Sequence, residues 1–93
     1  MPIDKELILT HFRSRHGKGP NHVWSDMTYI LMRVILSKVE FESIEQLAWF
    51  CDDPNNLLPW VASETDRTVF SGKLAEGVRA MMSQAGSNAG AGG

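Results

Sequence analysis

Residues 25–51 constrain the fold more than any other stretch, because they concentrate large apolar side chains in two neighbouring segments, 27–36 and 44–51. In the first, Met27, Ile30, Leu31, Val34 and Ile35 recur at i, i+3, i+4, i+7 and i+8, the core stripe of an amphipathic helix. Ser25 is the expected N-cap, with Asp26 beside it to suit the positive end of the helix dipole. Tyr29, Met32 and Leu36 carry the apolar surface further round the cylinder, leaving a narrow polar line through Asp26, Arg33 and Ser37. A helix so widely apolar needs cover on most sides, from this chain, a second copy or a partner. The competing reading is a strand, since Tyr, Ile and Val abound. Clean alternation occurs only at Lys38, Val39, Glu40, Phe41 and Glu42, so the expectation is a helix to Lys38 followed by a short extended link.

Ninety-three residues make one domain, large enough to bury roughly 60 to 65 per cent of its unfolded surface without disulfides or metal. A single cysteine forms no internal disulfide. The polar start MPIDKE does not read as a signal peptide, and the short apolar run at residues 29–32 does not span a bilayer. The expected setting is a reducing cytoplasm, without membrane contact.

Net charge is −2, but its distribution is uneven. Residues 40–66 hold seven acids (Glu40, Glu42, Glu45, Asp52, Asp53, Glu64 and Asp66) and no Lys or Arg, whereas residues 13–22 hold Arg13, Arg15, Lys18, His16 and His22 and no acid.

Asp4 is placed to cap a first helix in which Ile3 staples onto Ile8, with Leu7, Ile8, His11 and Phe12 on the buried side and Gly17 as the stop. The following basic loop lacks the spacing and the Ser or Thr of a phosphate loop, and its three bases supply few phosphate contacts. His11 and His16 stand five apart, off the i, i+4 spacing of helical zinc sites, so no metal or other cofactor is expected.

Ser43-Ile44-Glu45-Gln46 is a capping box, the most specific local signal in the chain. It opens a helix with Ile44, Leu47, Ala48 and Cys51 inward and Trp49 and Phe50 beside them. Cys51 reads as a small buried apolar residue, because Asp52 and Asp53 would raise rather than lower a thiol pKa. Asp52-Asp53-Pro54-Asn55-Asn56 is a turn, after which Asn56 is expected to cap a short helix over residues 57–62 that packs on the Trp49 side. A last helical region begins at Ser63 or Thr65, is expected to break at Ser71-Gly72, and resumes with Leu74, Val78, Met81 and Met82 inward.

The fold class is therefore all-α: a compact irregular bundle of four to five short helices over residues 1–83, centred on the helix of residues 25–38, with a disordered, flexible tail over 84–93. No acid–base pair, nucleophile or metal spacing suggests an enzyme. The expected function is non-catalytic binding of another protein. Glu40, Glu42, Glu45, Trp49, Asp52, Asp53, Trp60 and Glu64 would form an acidic, aromatic face for a basic surface of the kind nucleic-acid-handling machines carry, as in small accessory or inhibitory proteins of phages and mobile elements. The alternatives are a helix-turn-helix regulator over residues 43–62 using Arg13, Arg15 and Lys18, which its acidic flanks disfavour, and a self-assembling subunit or homodimer sharing the central helix.

Overall fold

The computed structural model describes residues 3–13 and 22–92, with the backbone alone for 22–24 and 84–92. The described chain is all-α and holds no strand: α1 (Lys5–Arg13), α2 (His22–Lys38), α3 (Ile44–Asp52), a 3-10 turn η1 (Pro54–Leu57) and α4 (Glu64–Gly92).

Each start is written in local polar chemistry. The Asp4 carboxylate accepts from the Leu7 amide at 3.1 Å and so caps α1. Ser43 Oγ accepts from the Gln46 amide at 3.3 Å, while Gln46 Oε1 accepts from Glu42 N–H at 2.9 Å, so the reciprocal bond lands one residue ahead of the cap. Ser63 Oγ accepts from the Asp66 amide at 3.3 Å and caps α4. α2 departs from expectation by starting at His22 rather than after Ser25. A cap preference worth about 1 kcal/mol does not halt a helix when the residues ahead of it include neither glycine nor proline.

Two further expectations fail for stated reasons. The helix foreseen over residues 57–62 is replaced by η1 and a turn. Asp53, not Asn56, is the cap: its carboxylate accepts from Asn55 N–H at 2.9 Å, Pro54 sits where a missing amide costs nothing, and η1 ends at Leu57, before Pro59. Asn56 instead donates its side-chain amide to the Phe50 carbonyl at 3.0 Å. With no second helix there, residues 43–62 do not supply the recognition helix of a helix-turn-helix.

The break at Ser71-Gly72 is also absent, and α4 runs on through both. Ser71 is buried, and its hydroxyl donates to the Cys51 carbonyl in the last turn of α3. A serine that competes with its own helix in isolation here satisfies an orphan carbonyl of another. The segment expected as a tail, residues 84–93, has its side chains outside the described residues.

α4, not α2, is the hub. Among the described residues it packs on α1, α2, α3 and η1, whereas the backbone of α2 comes close to α1 and α4. One core joins all of them, with Ile8, Met32, Ile35, Leu47, Leu57, Leu74 and Val78 at 0 or 1 % exposure.

The largest correction concerns the rotation of α2. Its buried line is Thr28, Leu31, Met32, Ile35 and Leu36, with Tyr29 beside it. That is the expected i, i+3, i+4, i+7, i+8 pattern displaced by one residue, a turn of about 100°. Met27 and Ile30 are consequently 47 % and 55 % exposed, and Val34 is half-buried. Leu7, expected inside α1, is likewise exposed, while Ile8 and Phe12 are buried. The Phe12 ring lies so close to α4 that a methyl group on Gly77 would stand 2.5 Å from its Cζ.

Candidate protein-binding surface

The capping box fixes where α3 begins, and burial of Leu47, Ala48 and Cys51 fixes its rotation. Trp49 must then point away from the core, and it is 69 % exposed. Glu45, half-buried, lies four residues before it and Asp52, exposed, three after, so both stand along the same side of the helix, and Asp53, exposed, follows as its extended C-cap residue. Glu42 extends the line beyond the cap and is exposed. An indole left in water at the centre of a row of carboxylates is unusual, since tryptophan is highly buried on average.

Neutralisation within the chain is partial. Among the described residues two of the seven acids meet a base: Glu40 is 3.9 Å from Lys5 with its side chain 93 % exposed, and Asp52 is bonded to Arg79. Such exposed pairs contribute little to stability. Asp53 is engaged as the cap of η1, Glu64 opens α4 and is exposed, and Asp66 is half-buried.

Trp60 goes elsewhere. It packs against Phe50 with ring centroids 6.5 Å apart, and Phe50 in turn meets Phe41 edge-on at 5.4 Å. Arg67 holds the adjoining linker by donating from Nη1 to the Val61 and Ala62 carbonyls at 2.9 and 2.7 Å. Pro59, Trp60, Val61 and Phe70 thereby form one wall of a cavity of about 520 Å³. The other wall is α2, through Met27, Ile30, Leu31 and Val34. Sequence reasoning missed Met27 and Ile30 as surface residues; the signal was present in the polar residues Asp26 and Arg33, their neighbours on the helix.

Of the basic residues offered to nucleic acid, Arg13 alone lies among the described residues. Arg13 folds back on Tyr29, donating from Nη2 to the phenol oxygen at 2.7 Å with its guanidinium 5.3 Å from the ring centroid. Arg15, Lys18 and His16 lie outside the described residues, as does the side chain of His22. Burial first, then the Asp52 charge, pushes the Cys51 thiol up to about 12, so it carries its proton at neutral pH. Among the described residues no three His, Cys, Asp or Glu side chains cluster as a metal site would need, and no helix is long and apolar enough to cross a membrane.

No protein-family model matches the chain, and neither a curated protein nor a solved structure does so. The case for function therefore rests on the surfaces just described.

Proposed function

We propose that this is a non-catalytic binding protein whose outward α3 face, centred on Trp49 and carrying Glu42, Glu45, Asp52 and Asp53, docks on a basic surface of another protein. The observation that carries this reading is the 69 % exposure of Trp49 in a row of acids. A large rigid aromatic is the commonest interface anchor, and carboxylates around it steer and align a cationic partner. A basic surface that handles nucleic acid fits this chemistry, and occupying it would make the chain an accessory or inhibitory factor, as small proteins of phages and mobile elements are. The proposed setting is the cytoplasm, where Cys51 stays a buried free thiol.

The test uses residues with no role in the core. Wild type, Trp49→Ala and the double variant Glu42→Lys/Glu45→Lys are immobilised and offered a lysate of the native host at low and high salt. A partner held by wild type at low salt, released at high salt and bound on the order of 30-fold more weakly by Trp49→Ala is expected, with helicity unchanged in each variant. Identical capture by all three chains, or none by wild type, contradicts the reading.

A further inference from the structure

The outward face of α2 is an apolar feature that the α3 reading does not use. Met27, Ile30 and Val34 stand at i, i+3 and i+7 along it and lead directly into the cavity walled by Trp60 and Phe70. None of the described residues that line the cavity is charged, so a partner entering it strands no ion among them.

We propose that a second copy of this chain covers the face, its α2 lying antiparallel to the first about a two-fold axis near Ile30. The argument is the order of charge along one flank of the stripe. Asp26 and Arg33 are seven residues apart, two turns and about 10.5 Å along the axis, so they share a flank and mark its opposite ends. An antiparallel two-fold sets each flank against the same flank of the other copy with the ends exchanged. Asp26 of each copy then faces Arg33 of the other, twice per dimer, whereas a parallel two-fold sets this flank against the opposite, apolar flank of the other copy and gives these charges no partner across the contact. The apolar residues obey the same symmetry: Met27 comes opposite Val34, and Ile30 meets its own counterpart. On the other flank the Trp60 wall meets its equivalent, extending the dry contact. Asp26 already interacts within its own chain and Arg33 stands 5.8 Å over the Tyr29 ring, so the attraction between copies adds to contacts already present.

Sedimentation of the full chain at low salt, across about 1 μM to 1 mM, tests this. The expected mass rises from that of the 10.4 kDa chain to twice that value and stops there. Ile30→Asp, at an exposed position, keeps its helicity and the single-chain mass throughout. Asp26→Arg and Arg33→Asp each weaken dimerisation by about tenfold, and the double exchange restores it. A single-chain mass for wild type at every concentration overturns the proposal and leaves the face to a different protein or an apolar ligand. Dimerisation that survives Ile30→Asp, or growth past two copies, overturns it as well.

Discussion

Ile35→Ala is expected to cost about 2–5 kcal/mol of folding stability, while Ile30→Ala changes it by less than about 0.5 kcal/mol. The two isoleucines lie five residues apart on α2. Ile35 is 0 % exposed, so truncation removes buried methylenes and leaves a cavity among Met32, Leu74 and their neighbours. Ile30 is 55 % exposed and leaves nothing to collapse. Denaturant titration of dilute protein, below the concentration at which copies associate, gives the comparison. Equal losses at the two sites would mean that α2 is turned as the first stripe suggests, with Met27 and Ile30 inside.

Two glycines on α4 are expected to give opposite signs under the same substitution. A Cβ on Gly77 would stand 2.5 and 2.6 Å from Cζ and Cε1 of Phe12, whose ring is 4 % exposed and boxed in by the core. Overpacking of this kind costs about 1–3 kcal/mol, more than the roughly 1 kcal/mol that alanine gains over glycine in a helix, so Gly77→Ala is expected to destabilise. At Gly72 nothing lies within 4 Å of the added methyl, and Gly72→Ala is expected to stabilise by about 1 kcal/mol. Thermal melts of the two variants beside wild type are sufficient. A stabilised Gly77→Ala would mean that α1 does not approach α4 so closely.

These expectations also mark what the sequence could and could not convey. Local polar signals were legible: Asp4, Ser43 and Ser63 each cap the helix they announce, because a cap is settled within four residues. The rotation of α2 was not legible. Two stripes with identical spacing, one from Met27 and one from Thr28, fit the same segment, and hydrophobic count prefers the first because the second begins with a threonine. Tertiary contacts decide: Arg13 grips Tyr29, and the α1 and α4 surfaces receive Met32, Ile35 and Leu36. Ser71-Gly72 misled for a related reason, since the serine's partner is a carbonyl twenty residues away. Of the expected binding residues, the α3 set holds together, because one helix carries Glu45, Trp49 and Asp52. Trp60 separates from it, because η1 ends at Leu57 and the linker returns the indole to Phe50 and α2.

The claim on which the functional account depends is that Trp49 stands in water among carboxylates. Fluorescence quenching of Trp24→Phe/Trp60→Phe, in which Trp49 is the remaining indole, addresses it directly. The account predicts water-like emission, ready quenching by neutral acrylamide, and stronger quenching by caesium than by iodide, the difference fading as salt screens the acids. Blue-shifted emission protected from acrylamide, or iodide quenching at least as strong as caesium, would contradict it.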